Sequence, residues 1–325
     1  MKKETIFTKM QNDIMNAPLD EQTRKILLEN ILKLKNEKVN LLITGATGSG
    51  KSSTINAMFK TEVAKVGIGV DPETMSIKKY ELDNLILWDS PGLGDGKEKD
   101  IQHAKGIVAK LNEKDNNDNP LIDLVLVILD GGSRDLGTSY ELINQVIIPN
   151  LGENAKDRIL IAINQADVAM GGRNWNYKQN KPEPKLVKFL DEKVLSVKNR
   201  VKEATGLDVE PIYYCAGYKD DDEEQNPYNL SKLLYYIIKA TPTKKRLIYI
   251  DNTSEKPEIW KNDDELEDYG EEIRKSTWET VKEYASKGAD IGGDIGSVFG
   301  ETGRNIGKAV GGAVGTVVGF ISSWF

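Results

Sequence analysis

The run Gly45-Ala46-Thr47-Gly48-Ser49-Gly50-Lys51-Ser52 constrains the fold of this chain more than any other stretch. It lies between an apolar segment, Val39-Asn40-Leu41-Leu42-Ile43-Thr44, and a stretch with helical potential from Lys51 to Phe59. Glycine admits torsions that a side chain would block, so successive amide N–H groups can turn inward at the positive end of the following helix and cradle phosphate. Lys51 adds a charge toward the outer phosphates. Ser52 offers a hydroxyl to Mg²⁺, which keeps several waters and takes few protein oxygens. A glycine-rich turn before an ordinary helix is the plainer reading, but it leaves the full GxxxxGKS pattern between strand and helix without a cause.

Such a loop reads phosphates and not the base, so an ATPase, a nucleotide kinase and a GTPase all remain open at this point. Two later segments choose. The apolar run Leu85-Ile86-Leu87-Trp88 delivers Asp89 into Asp89-Ser90-Pro91-Gly92, where an acid at a strand end can hold the Mg²⁺ shell and the Gly92 amide can sense a γ-phosphate. The run Arg158 to Ile163 leads into Asn164-Gln165-Ala166-Asp167. A carboxylate at Asp167 can accept both hydrogen bonds from the N1–H and 2-amino groups of guanine. Adenine lacks that pair of donors, and buried polar groups left unpaired are costly, so the choice of base is sharp. This disfavours the kinase reading.

On these motifs the chain resembles the bacterial Era-like P-loop GTPases, a group labelled as ribosome-binding GTPase domains, from about Val39 to Thr241. The resemblance implies that Gly45, Thr47, Gly48, Ser49, Gly50, Lys51, Ser52 and Ser53 hold the phosphates of GTP or GDP. It implies a Mg²⁺ ion on Ser52, Asp89 and a switch threonine, Thr74 in Asp71-Pro72-Glu73-Thr74-Met75, with Lys51, Thr74 and Gly92 as the catalytic set. Asn164 and Asp167 match the family's NKxD motif, and Cys215-Ala216-Gly217 after Pro211-Ile212-Tyr213-Tyr214 matches the last loop, whose backbone touches the base. Ribosome or RNA as a partner enters only by this analogy. Three positions depart from the pattern. Gln165 replaces the NKxD lysine that covers the base, and Gly48 stands where Era-like proteins often carry an asparagine linked to potassium activation. Leu93 stands where Ras-like proteins carry the glutamine that orients water, so a slow intrinsic rate is expected.

The hydrophobic pattern predicts an α/β fold, a doubly wound, mostly parallel sheet with helical N- and C-terminal extensions, and the resemblance implies that it is of the P-loop GTPase type. Strand-like runs occupy residues 39–44, 76–82, 85–89, 121–130, 158–164 and 210–215. Helix-like stretches fall at about 51–59, 97–112, 138–147, 184–205 and 230–240. Asp83-Asn84 reads as a tight hairpin, which predicts an antiparallel pair at one edge. The division expected is an N-terminal helical extension at 1–38, a nucleotide domain at 39–245, a charged helical or linker segment at 246–287 and a glycine-rich apolar tail at 288–325.

Formal net charge of −7 argues against broad nucleic-acid binding through phosphate neutralisation. One cysteine, Cys215, leaves no internal disulfide and points to a reducing compartment, and no cleavable leader is expected after Met1. His103, the one histidine, reads as a surface helix residue, and the acidic run Asp220 to Glu224 as a solvated loop. Ile26, Leu27, Ile31, Leu32 and Leu34 form an apolar stripe expected to pack on the parent domain.

The tail is less ordinary. Glycine recurs at Gly288, Gly292, Gly296, Gly300, Gly303, Gly307, Gly311, Gly315 and Gly319, lining one face of a helix and letting another backbone approach. That period also explains Gly300-Glu301-Thr302-Gly303 without RNA. Ala309 to Phe325 carries no charged side chain and reaches about 25 Å as a helix, against a hydrocarbon core of roughly 30 Å. Membrane association, packing in a homo-oligomer or against the domain, and disorder are the readings for this segment. The expected function is a GTP hydrolase acting as a conformational switch, cytoplasmic or peripheral at the inner membrane. The alternative is a GTP-dependent membrane or assembly module in which turnover is incidental.

Overall fold

Successive side chains of a strand point to opposite faces, so a strand that is apolar throughout needs cover on both sides. A computed structural model describes residues 5–63, 65–68, 76–94, 96–220, 223–287, 311–313 and 315–325. Its strands are β1 (Val39–Gly45), β2 (Lys65–Ile68), β3 (Lys78–Leu82), β4 (Leu85–Asp89), β5 (Leu124–Asp130), β6 (Ile159–Asn164), β7 (Trp175–Asn176), β8 (Lys181–Pro182), β9 (Ile212–Tyr213), β10 (Tyr218–Asp220) and β11 (Glu223–Gln225). The main sheet has the order β2-β3-β4-β1-β5-β6-β9. β4, β1, β5, β6 and β9 run parallel, while β3 pairs antiparallel with β4 and β2 antiparallel with β3. The turn between β3 and β4 sits at Asp83, whose φ of 45° is a left-handed conformation that Asp tolerates.

Alternation sorts the core. Leu41, Ile43, Leu85, Leu87, Leu124, Leu126 and Ile128 enter one hydrophobic cluster. Leu42, Ile86, Trp88, Val125, Val127 and Leu129 enter the other. The doubly wound, mostly parallel sheet expected from the pattern is therefore present, with helices on both faces.

The helices are α1 (Ile6–Asn16), α2 (Glu21–Asn36), α3 (Lys51–Met58), α4 (Lys97–Asn112), α5 (Gly137–Glu141), α6 (Ile148–Leu151), α7 (Ala155–Arg158), α8 (Pro184–Thr205), α9 (Leu230–Lys239), α10 (Arg246–Asn252) and α11 (Tyr269–Lys287). Between α5 and α6 the chain takes a π-helical course at Leu142–Ile147. Pro149 lies just beyond; it has no N–H and crowds the carbonyl four residues back, which loosens the ladder there. Thr5 caps α1 by accepting from the Thr8 amide, and Asp20 caps α2 by accepting from the Thr23 amide.

Several expectations need correction. The last parallel strand is only Ile212–Tyr213, and Cys215 instead forms an isolated bridge with Tyr228. β2 and the hairpins β7/β8 and β10/β11 carry no alternation long enough to show in sequence. Part of the acidic run read as a loop therefore lies in paired strands, with Asp221 and Asp222 outside the described residues. In α2, Leu27, Ile31 and Leu34 are buried as the stripe requires, but Leu32 is exposed.

The tail turns back onto the domain. Residues 311–313 and 315–322 are helical, and Ala313, Val317, Ile321 and Trp324 are buried in the cluster that also holds Ile6, Phe7, Met10 and Ile14 of α1. Trp324 stacks on Trp260 with centroids 6.2 Å apart, and Thr316 donates to the Asp13 carboxylate. Lys9 and Lys60 lie over the Phe320 ring. A Cβ added at Gly311, Gly315 or Gly319 would meet nothing within 4 Å, so the apolar face and not the glycine face does the packing. The earlier glycines of the period, Gly288 to Gly307, lie outside the described residues. Among the described residues no helix is long and apolar enough to cross a membrane.

Candidate nucleotide site

The parallel strands end at one rim of the sheet, where β1 runs into the glycine loop, β4 into Asp89 and β6 into Asn164. Ligand loops of an open α/β sheet gather at such carboxyl ends. α3 starts at Lys51 directly after Gly50, and no side chain caps it. Its first amides therefore face the loop, at the positive end of the helix dipole. Gly50 needs to be glycine twice over: its φ is 87°, and a Cβ would run into Nδ2 of Asn164.

Lys51 is buried, and its ammonium donates to the carbonyls of Gly45 and Ala46 at 3.2 and 2.9 Å. Thr47, Gly48, Ser52 and Ser53 are exposed on the rim. Ser49 is fully buried, and its Oγ has no hydrogen-bond partner. Ser52 Oγ donates to Asp89 Oδ2 at 3.1 Å. The other oxygen, Oδ1, is buried without a partner, and burial raises the Asp89 pKa against the opposing Ser52 bond and the charges of Lys51 and Lys78. A hydroxyl beside a carboxylate with one unsatisfied oxygen is a donor set that fits a hard divalent cation. Thr74 lies outside the described residues.

The loop after Asp89 is folded against the glycine loop. Gly92 packs so closely on Thr47 that a Cβ there would collide with its backbone. Leu93 is buried, donates its N–H to the Gly45 carbonyl at 3.3 Å and accepts from the Thr47 amide at 2.9 Å. Its side chain enters the core cluster below the sheet rim. The reading of His103 as a surface residue needs correction: it is half-buried, with Nδ1 3.1 Å from the Gly92 carbonyl. One turn of α4 earlier, Asp100 accepts from the Gly94 amide at 2.8 Å. Helical spacing puts these two residues on one face of α4, but what they touch is set by the loop before it.

On the other side, Asn164 joins three loops. Its Nδ2 donates to the Ser49 carbonyl at 3.0 Å and its Oδ1 accepts from the Ala216 amide at 2.9 Å. Gln165, at the lysine position of the motif, has a left-handed φ of 60° and donates from Nε2 to the Gly48 carbonyl at 2.9 Å. The neutral side chain thus spans the glycine loop and the Asn164–Asp167 loop. Asp167 is buried, and its Oδ1 accepts from the Cys215 thiol at 3.1 Å. Burial, and then the Asp167 charge, push the Cys215 thiol well up, so it stays protonated and remains a donor. Beneath these loops the Tyr214 hydroxyl meets Thr54 Oγ1 at 2.6 Å, tying α3 to the segment that carries Cys215 and Ala216. Nothing in the sequence pattern announces that pair.

Apart from Thr74, the candidate nucleotide-site residues come together at this rim: Gly45 to Ser53 in the middle, Asp89 and Gly92 on one side, Asn164, Asp167, Cys215 and Ala216 on the other.

Residues 40–165 match a family model described as 50S ribosome-binding GTPase. The uncharacterized protein YfjP of Escherichia coli (strain K12) is 30% identical over 173 residues, 52% of this chain and 55% of that protein. The uncharacterized protein YkfA of the same organism is 30% identical over 156 residues, 47% of this chain and 50% of that protein. The chain spans about half the length of these curated relatives. Among solved structures, Toc33 from Arabidopsis thaliana in complex with GDP and Mg²⁺ superposes with a TM-score of 0.43 at 15% identity, covering 75% of this chain and 98% of that one. The stretch from 40 to 165, which contains the glycine loop, Asp89 and Asn164, is thus similar to that family of GTPase domains.

Proposed function

We propose that this protein binds GTP and GDP with Mg²⁺ and hydrolyses GTP to GDP and phosphate as a conformational switch with a slow intrinsic rate. The observation that carries the reading is the bracing of Asn164: one amide ties the phosphate loop to the base-reading loop and to Ala216, so both ends of a nucleotide meet one rigid surface. Asp167 reads the guanine N1–H and 2-amino donors. The α3 amides and Lys51 take the phosphates, and Gly92 senses the γ-phosphate. Mg²⁺, held by Ser52 and Asp89 and by Thr74 as the family resemblance implies, supplies charge neutralisation at the phosphate oxygens. Leu93, the residue after Gly92, is buried and apolar and has no group to orient water, which supports slow turnover. An Era-like affiliation and a ribosome or RNA partner rest on analogy alone.

Thermal unfolding with nucleotide tests the reading. GTP or GDP with Mg²⁺ should stabilise the full chain by about 2.7 kcal/mol at 100 times the dissociation constant, and ATP should not. Asp167→Asn should weaken guanine binding and favour xanthine nucleotides, whose extra carbonyl accepts from the new amide. Equal shifts with ATP and GTP, or unchanged GTP affinity in Asp167→Asn, would refute the base assignment. Lys51→Ala should abolish phosphate release.

A second reading has one observation in its favour. The terminal helix is held by its apolar face while Gly311, Gly315 and Gly319 point outward, a surface on which a second copy could pack closely. In that reading GTP controls self-assembly or attachment to a membrane, and the protein is cytoplasmic with a peripheral pool at the inner membrane. Sedimentation and liposome flotation of the full chain in GTP and GDP decide it; a monomer absent from the lipid fraction in both states excludes it.

A further inference from the structure

The Gly92–Leu93 peptide is gripped at both ends. Its N–H donates to the Gly45 carbonyl of the phosphate loop, and its carbonyl lies 3.1 Å from Nδ1 of His103. A carbonyl can only accept, so the imidazole must carry its proton on Nδ1 at this contact. Asp100, on the same face of α4, accepts from Gly94 and holds the far side of the turn. The Leu93 side chain is buried, so it cannot do from this loop what a polar residue at its position would do.

We infer that His103 is the positioning residue of the nucleotide-sensing loop: by donating to the Gly92 carbonyl it sets the orientation of the Gly92–Leu93 peptide and links γ-phosphate contact at Gly92 to α4. This rests on the GTPase reading above. A residue acting in this way affects the triphosphate state and turnover, and leaves recognition of guanine and of the diphosphate alone. It also has a geometric signature. The side-chain nitrogen of asparagine occupies the place of imidazole Nδ1, whereas that of glutamine occupies the place of Nε2.

The experiment measures GTP and GDP affinity and single-turnover phosphate release on the full chain carrying His103→Ala, His103→Asn or His103→Gln. His103→Ala should lower the hydrolysis rate about tenfold and reduce the ratio of GTP to GDP affinity severalfold, with GDP affinity within twofold of wild type. His103→Asn should recover most of the rate and His103→Gln should not. An alanine variant with wild-type rate and affinity ratio overturns the inference, as does an asparagine variant no better than alanine. GDP affinity that falls in parallel with GTP affinity also overturns it, because the effect is then general to the site. If the wild-type chain binds neither nucleotide, the GTPase reading itself has failed, and that arm is read independently of the variants.

Discussion

Asp89 places a carboxylate where one oxygen has no hydrogen bond, and burial raises its pKa above the ordinary 3.8. The folded state therefore holds the proton more tightly than the unfolded chain. The stability this contributes is full below 3.8 and is lost as pH rises through the raised folded value. Once pH exceeds that raised value, and without Mg²⁺, the carboxylate opposes folding, so Asp89→Asn should melt at or above the wild-type temperature in EDTA at pH 7. The same variant should lose the additional stabilisation that Mg²⁺ gives with GTP. A lower melting temperature for Asp89→Asn in EDTA would contradict the account. Cys215 offers a second check at this scale. Its thiol is buried and its pKa raised, so a thiol reagent should modify it far more slowly in the folded than in the unfolded protein, and more slowly again with GDP bound. The residues of the glycine loop are legible in sequence because the turn, the glycines and the helix start are local. The contact of His103 is not legible, because its partner, Gly92, is reached only by folding the intervening loop back along α4.

At the scale of elements, the terminal helix behaves as part of the core. Trp324 is fully buried against Trp260, and replacing such a side chain by alanine typically costs about 3–5 kcal/mol. Trp324→Ala should lower the denaturant midpoint accordingly, with an unchanged slope if the rest of the fold survives. Gly311 and Gly315 are exposed in the helix, and each change to alanine should stabilise the monomer by up to about 1 kcal/mol. A loss of stability from those alanines would mean that the glycine face is packed in solution, as in an oligomer. At Gly311, Gly315 and Gly319 the glycine spacing coincides with a helix, yet it cannot say which face is covered. That depends on α1 and Trp260, which are distant in sequence. The long parallel strands and α8 are readable because burial on both faces, or on one helical stripe, imposes a period over many residues. β2 and the two short hairpins are too brief to carry one.

Over the whole molecule, the terminal helix, α1, α10 and α11 feed side chains into the same cluster as one face of the sheet, through Ala313, Ile6, Leu247 and Ile273 among others. A chain ending at Lys287 should therefore unfold at a lower temperature than the full chain, since Phe7, Met10 and Trp260 lose cover. It should still be stabilised by GDP, because the nucleotide rim is built from β1, β4, β6 and the loops beyond them. Truncation that leaves the melting temperature unchanged would show that the helix does not dock there. Local pattern alone carries the residue types of the rim and where along the chain its loops fall: glycine torsions, a lysine and serine at a helix start, and acids at strand ends act over a few residues. Long-range packing sets the rest: His103 and Asp100 grip the loop after Asp89, Gln165 straps the Asn164–Asp167 loop to Gly48, and the tail packs by its apolar face. For Asp100 and His103 the loop from Gly92 to Gly94 lies against α4, for Gln165 the sheet sets two distant loops side by side, and for the tail apolar burial selects a face by shape, which no local pattern encodes.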